Sequence, residues 1–154
     1  MQQTIKYKIF NSNNDWTGVV TRLSVGIILF PHGAQKLLGI FGGFGFTGTM
    51  AFFTNTKHLP WIIGFLVIII EFVGSISLIA GFASRIWSAL IIPLMVGIIF
   101  TSHIDNGFFM NWFGNQEGEG YEYFLLIIGL SLSTLINGSG KFSVDKTLIK
   151  SRYL

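Results

Sequence analysis

Residues 61–83, WIIGFLVIIIEFVGSISLIAGFA, form an almost unbroken apolar run in which Glu71 is the only charged residue. A helix needs roughly 20 mostly apolar residues to cross the hydrocarbon core of a membrane, so this run is long enough for one span. Further apolar segments at about residues 17–39, 86–103 and 121–137 predict three more spans. The pattern predicts an all-α fold, an integral membrane four-helix antiparallel bundle.

The composition also points to a membrane protein. Of 154 residues, 51% are hydrophobic and 11% are charged, whereas a soluble domain has about 25% charged residues. This balance argues against a soluble enzyme or a disordered chain, and the length allows a single domain. The absence of cysteine excludes disulfides, thiolate metal sites and iron–sulfur clusters held by this chain. A net charge of +3, scattered along the sequence, gives no basis for nucleic-acid binding.

Basic residues flank the apolar runs unevenly, and this predicts the orientation of the chain. Cytoplasmic loops of membrane proteins are enriched in lysine and arginine. We therefore expect a multi-pass protein whose N-terminal extension (residues 1–16) and tail (residues 138–154) are both cytoplasmic. In this arrangement only Lys36 and Lys57 lie outside. The basic residues inside are Lys6, Lys8, Arg22, Arg85, Lys141, Lys146, Lys150 and Arg152.

The segment between the first two spans is rich in glycine and phenylalanine, with GIFGGFGFTGTMAFF at residues 39–53. It is too apolar for a free loop and too glycine-rich for a stable spanning helix. We expect residues 39–59 to form a re-entrant or interfacial segment packed over the bundle. The alternative is an ordered outer loop whose phenylalanines dip into the lipid headgroups.

Five ionisable side chains fall within or beside the predicted spans, where such groups are costly and usually functional. His32 and Lys36 are four residues apart and share one helix face. At a rise of about 1.5 Å per residue, Glu71 lies near mid-membrane and the others lie nearer the outer boundary. We therefore expect a polar funnel in the outer half of the bundle, with Glu71 at its base. The five residues are His32, Lys36, Glu71, His103 and Glu122.

Small residues recur at helical spacing beside two of these carboxylates. This spacing predicts that the faces carrying Glu71 and Glu122 pack inward, away from lipid. The small residues are Gly64, Gly74 and Ser75 on the second span, and Gly129 and Ser133 on the fourth.

An apolar pocket with a few convergent polar groups suits a lipophilic ligand with polar ends. A quinone fits, because histidine or lysine can donate to its carbonyls and a buried carboxylate can pass a proton. Electrons would have to come from a redox partner or a bound cofactor. Haem b, with His32 and His103 as axial ligands, is a less favoured cofactor because the two histidines differ in depth. The residue spacing predicts no dedicated metal site.

Several motifs resemble the DoxX family of small bacterial membrane proteins, over about residues 19–146. They are HGAQKLLGIFGGFG at residues 32–45, the mid-span glutamate, TSHIDNGFF at residues 101–109 and GSGKFSVD at residues 138–145. The resemblance implies a four-helix protein of the bacterial plasma (inner) membrane. Family members are linked to thiosulfate:quinone oxidoreductase subunits, membrane oxidoreductase complexes and quinone or catechol stress. The recurring family positions correspond here to His32, Gly33, Lys36, Gly42, Gly43, Glu71, Arg85, His103 and Glu122.

The residues and the resemblance together favour a membrane subunit of a redox system that binds a quinone or similar lipophilic ligand. Glu71 and His32 are the candidate catalytic residues, with Glu71 carrying protons. His32 and Lys36 would orient a head-group carbonyl, and His103 and Glu122 would stand at the mouth. The expected partners are the lipid bilayer and a redox protein, and a homodimer also fits the sequence.

Two alternatives carry no redox role. In a non-enzymatic scaffold, assembly factor or small-molecule-binding protein, the same charges would pair across helices and fix their register. A small transporter or channel ranks last, because an alternating-access carrier of four spans without an internal repeat would need a dimer.

Overall fold

The computed structural model describes residues 9–150, so the predicted inside charges Lys6, Lys8 and Arg152 lie outside the described residues. Within that range the regular structure is helical and contains no strand, which confirms the all-helical prediction. Six α-helices lie wholly within it. They are α1 Thr17–Leu38, α2 Gly45–Ala51, α3 Trp61–Ala80, α4 Ser84–Ile98, α5 Glu122–Asn137 and α6 Val144–Lys150.

Among residues 9–150, two helical stretches are long and apolar enough, by length and composition, to cross a membrane. One is α3. The other is Ser84–Asn106, in which α4 continues into the π-helical segment Ile99–His103 and the 3₁₀ turn Ile104–Asn106. Helix α5 is also apolar but shorter.

The four longest helices share one apolar core. Helix α1 packs most extensively on α3 and also contacts α5, while α4 packs mainly on α5. Each helix contributes at least one fully or almost fully buried side chain, and together they form a continuous cluster. The members of this core are Val25, Leu29, Leu78, Ile91, Met95 and Ile127.

A tight turn at Gly81 joins α3 to α4. Gly81 adopts a left-handed conformation with φ of 70°, and its N–H donates to the Leu78 carbonyl. Glycine favours this conformation at helix ends because it has no Cβ. The turn also leaves little room, because a Cβ at Gly81 would lie 2.6 Å from the Ser143 Cβ.

Residues 39–59, predicted to be re-entrant or interfacial, contain the short helix α2 and the π-helical segment Phe52–Thr56. These two elements pack against α1 and α3. Phe44, with 83% of its surface exposed, is among the phenylalanines of this segment that point away from the protein.

The segment after α5 is held against the helix ends by a buried arginine. Arg22 is 2% exposed, and among the described residues its guanidinium donates to backbone carbonyls. Two of the acceptors, Leu78 and Ile79, lie at the end of α3, at 2.8 and 2.5 Å. Two more, Ser139 and Phe142, lie after α5, at 2.8 and 3.1 Å. The sequence pattern around Arg22 predicts only an inside position for its charge and does not indicate these contacts.

Asp145 fixes the segment after α5 to the start of α4, and we refer to these two buried side chains as the Arg22–Asp145 clamp. Its carboxylate is 1% exposed and accepts hydrogen bonds from the backbone N–H groups of Ala83 and Ser84, at 2.6 and 3.2 Å. The Ser139 hydroxyl donates to the same carboxylate. Because the first N–H groups of a helix lack intrahelical partners, Asp145 acts as a remote cap for α4.

The predicted inward face of α3 is confirmed, since Gly64, Glu71, Gly74 and Ser75 are all buried. The corresponding prediction for α5 is wrong. Gly129 is exposed, and a Cβ built there would have no neighbour within 4 Å. The buried face of α5 instead carries Ile127, Ser131 and Thr134, because the Thr134 hydroxyl bonds Thr21 of α1 at 2.9 Å and sets the rotation of the helix.

Candidate functional site

A cavity of about 710 Å³ lies among α1, α3, α4, α5 and the π-helical segment Phe52–Thr56. Its size is within the range of pockets that enclose small organic ligands. Most of the wall is apolar and comes from side chains such as Leu29, Val67, Leu94 and Phe124. The polar and charged side chains on the wall are His32, Lys36, Lys57, Glu71, Thr101, Ser102, His103, Glu119 and Tyr123.

An ion pair between α1 and α3 forms part of the polar wall. Lys36 Nζ lies 2.5 Å from Glu71 Oε2. The Glu71 side chain is 4% exposed, whereas that of Lys36 is 26% exposed. A carboxylate buried this deeply is stable in its charged form only with a partner, and Lys36 supplies it.

Close packing at Gly33 makes this pair possible. A Cβ at Gly33 would lie 2.5 Å from the Phe72 backbone nitrogen, so only glycine allows α1 to approach α3 at this level. Lys36 follows one turn later on α1 and reaches the carboxylate of Glu71, the residue before Phe72.

Both predicted histidines line the same cavity but in different settings. His32 is exposed and lies one turn before Lys36 on α1. His103 ends the π-helical segment after α4, and its ring lies 4.5 Å from the ring of Phe124. Its Nδ1 lies 2.8 Å from the Glu119 carbonyl oxygen. Because a carbonyl only accepts, Nδ1 carries the proton and Nε2 is left for another partner.

Glu122, predicted to stand at the mouth of the funnel, is not on the cavity wall. It is the first residue of α5, and its Oε1 accepts a hydrogen bond from the Met110 backbone N–H at 3.0 Å. The carboxylate therefore ties the loop before α5 to the start of that helix. The structure brings together His32, Lys36, Glu71 and His103, and it places Glu122 in a loop contact.

The sequence analysis missed three ionisable residues of the wall, namely Lys57, Glu119 and Tyr123. Tyr123 had a usable signal, because it precedes the buried residues Ile127 and Ser131 by four and eight positions on one helix face. Lys57 and Glu119 lie in connections between helices, where no periodicity exists to indicate which side chains turn inward.

The arrangement can bind an uncharged, largely apolar molecule that carries hydrogen-bond acceptors. Lys36 offers ammonium donors, His32 and His103 offer ring nitrogens, and Glu71 offers a carboxylate beside them. Within residues 9–150, no group of three or more His, Asp or Glu side chains is arranged to hold a metal ion.

Comparison with known proteins adds two findings. The sequence model of the DoxX family matches residues 18–104, which include His32, Lys36, Glu71 and His103. A protein of Bacillus subtilis (strain 168) named "Putative oxidoreductase CatD" is 28% identical over 134 residues, covering 87% of this chain and 88% of the relative. No solved structure matches the chain.

Proposed function

This chain belongs to the DoxX family, and from that premise we propose that it is a multi-pass membrane subunit of a redox system that binds a quinone in the cavity. The observation that carries the proposal is the buried Lys36–Glu71 pair on the wall of a largely apolar cavity. The oxidoreductase named among its relatives supports a redox role.

The proposed membrane arrangement uses α1, α3, α4 and α5 as four antiparallel spans. Its support is the apolar character of their outward faces, which a soluble protein of this size would not expose. Examples are Ile27, Leu66, Val96 and Leu126, which are 60%, 43%, 39% and 60% exposed. With the positive-inside rule, this gives a bacterial inner-membrane protein whose termini are both cytoplasmic.

A quinone matches both the apolar wall of the cavity and its hydrogen-bond donors. The ring and its isoprenoid tail are apolar, like most of the wall, and the two carbonyl oxygens accept hydrogen bonds. Lys36 and His32, one helical turn apart, are the donors proposed for one carbonyl. His103 also lines the cavity, and its unprotonated Nε2 would accept a hydrogen bond from the hydroxyl that the other ring oxygen becomes on reduction.

The Lys36–Glu71 pair would handle the protons of quinone reduction. Reduction to a hydroquinone adds two electrons and two protons, and each ring oxygen gains one proton. The pair holds a transferable proton between an ammonium and a carboxylate at 2.5 Å. A proton passed to a reduced ring oxygen would change the net charge of the pair from zero to −1, and a proton taken up from the solvent side at the partly exposed Lys36 would restore it.

The electrons are assigned to a partner redox protein. The chain has no cysteine, so it cannot supply thiols for a disulfide relay. The role of this subunit in the proposal is to bind the quinone, orient it and manage protons, while the partner supplies reducing equivalents.

A structural role is the second candidate, and the Lys36–Glu71 pair favours it too. The pair joins α1 to α3 and would fix their register in a scaffold or assembly factor. The two candidates differ in their prediction for ligand binding, because a scaffold needs none.

Binding of a short-chain benzoquinone to the purified protein in lipid nanodiscs tests the proposal. We expect saturable binding by the wild type and at least about tenfold weaker binding by Lys36→Met, because the ammonium that donates to the quinone carbonyl is lost. Lys141→Met is the matched control, since Lys141 is not on the cavity wall, and it should bind like the wild type. Equal binding by all three proteins, or none by the wild type, would contradict the proposal.

A further inference from the structure

Tyr123 is a residue of the cavity wall whose hydroxyl makes no hydrogen bond with the described residues. Tyr123 lies on α5 and lines the cavity together with Glu71 and Lys36. Its Oη is buried and has no hydrogen-bond partner among residues 9–150. Buried polar groups in native proteins are nearly always bonded, and an exception calls for an explanation. An unused buried donor costs free energy in this state, and a second state in which it is bonded would explain why it is kept.

The nearest explanation lies in Glu71. Its side chain lines the same cavity as Tyr123. In this structure Glu71 Oε2 is bonded to Lys36, and none of the hydrogen bonds among the described residues reaches Oε1. Tyr123 and Glu71 are therefore two residues of one cavity wall whose phenol and carboxylate groups are not bonded to each other.

We infer that Tyr123 is the reserve partner of Glu71, donating to its carboxylate when Lys36 turns from Glu71 to a ligand. The inference deepens the proposed function and, for its ligand part, rests on it. Lys36 is the more exposed member of the pair and has a flexible stem, so it is the member able to move. A ligand oxygen that draws the ammonium away would otherwise leave a carboxylate that is 4% exposed without a partner.

The exchange also defines the class of ligand. Only a ligand whose polar end accepts hydrogen bonds, such as a carbonyl or a phenolate, competes with Glu71 for the ammonium. A ligand with only donors would be drawn to the carboxylate and would leave the ion pair closed. Tyr123 is thus a positioning residue that acts through Glu71.

The first test needs no ligand and uses a thermal double-mutant cycle in nanodiscs. Tyr123→Phe removes only the hydroxyl, so in the wild-type background the unfolding midpoint should stay the same or rise. In a Lys36→Met background, where Tyr123 already bonds Glu71, the same change should lower the midpoint by about 2–4 °C. Tyr121→Phe, which lies outside the cavity wall, should lower neither. A loss of equal size in both backgrounds, or no loss in either, would overturn the inference.

The second test measures affinity for the short-chain benzoquinone. We expect Tyr123→Phe to weaken binding roughly tenfold in the wild type and to have no further effect in Glu71→Gln, because the hydroxyl then has no carboxylate to serve. Unchanged affinity in Tyr123→Phe overturns the inference and leaves the proposed function standing. If the wild type does not bind the quinone, the proposed function fails, and the thermal cycle alone decides the inference.

Discussion

Lys36 of α1 and Glu71 of α3 form an ion pair with 2.5 Å between Nζ and Oε2, on the wall of an apolar cavity. Buried ion pairs add little net stability, because the desolvation of both charges offsets their attraction. Breaking such a pair is costly, however, since the remaining charge loses its partner. The pair therefore combines a constraint between two helices with a group that can bind and protonate a ligand.

The pair predicts non-additive stabilities. Lys36→Met alone should lower the free energy of unfolding by about 1–2 kcal/mol, because it leaves the Glu71 carboxylate without a cation. The double change Lys36→Met/Glu71→Leu should cost less than the sum of the single changes, since no charge is left. Thermal unfolding in nanodiscs measures the stability loss of the single variants and of the double variant. Strictly additive losses would mean that the two side chains do not interact.

The Arg22–Asp145 clamp predicts a strong effect far from the cavity. Arg22→Lys keeps the charge but loses the planar set of donors that reaches carbonyls on α3 and on the segment after α5. We expect a loss of about 3 kcal/mol in the free energy of unfolding. Arg85→Lys, at a less buried arginine that donates to Leu135, is the matched control and should cost less. Equal losses would show that burial of Arg22 is unimportant.

The contact at Gly33 predicts a second, local effect. In Gly33→Ala the new Cβ meets backbone atoms of Phe72 at 2.5 and 2.6 Å, so α1 must move away from α3. We expect a lower melting temperature and weaker quinone binding, because His32 and Lys36 move with α1 from their places on the cavity wall. Gly129→Ala adds the same methyl group where nothing lies within 4 Å. It should be neutral or stabilising by up to about 1 kcal/mol. The reverse order would contradict the observed packing.

The orientation of the chain is testable because it has no native cysteine. Phe113, in the connection between α4 and α5, is 89% exposed, and Phe142, after α5, is 78% exposed. In intact cells a membrane-impermeant maleimide should label Phe113→Cys. It should label Phe142→Cys only after the cells are permeabilised. Labelling in the opposite order would mean that the orientation is the reverse of the proposed one. Labelling of both residues in intact cells would place them on the same side of the membrane and would contradict a single span, α5, between them.

Helical periodicity carried much of the sequence analysis, because apolar runs and the residues beside Glu71 report directly on a buried helix face. Periodicity gives a wrong prediction for α5, because it predicts that Gly129 lies on the buried face. A small residue fits both a close helix contact and an open surface, so residue size does not decide the rotation of a helix. The hydrogen bond between Thr134 and Thr21 decides it, and that pairing is long-range.

The candidate site was predictable to the extent that its residues lie on regular helices. His32, Lys36 and Glu71 share helix faces that could be derived from spacing, and they meet at the cavity. Glu122 was misplaced because a carboxylate at the first turn of a helix can bond nearby backbone N–H groups, as it does with Met110. Lys57 and Glu119 could not be predicted, since the path of a connection between helices depends on the tertiary fold. The Arg22–Asp145 clamp could not be predicted for the same reason, because its hydrogen-bond partners are distant in sequence.

The central claim is that the cavity beside Lys36 and Glu71 binds a quinone, and mass spectrometry of molecules that copurify with the protein tests it most directly. The protein would be purified in mild detergent and its small molecules extracted, with Glu71→Gln/His32→Ala as the test variant and Glu122→Gln as the matched control. The account predicts a quinone in near-stoichiometric amount with the wild type and Glu122→Gln, and a strongly reduced amount with the test variant. Membrane lipids alone in all three samples, or equal amounts of quinone in all three, would contradict it.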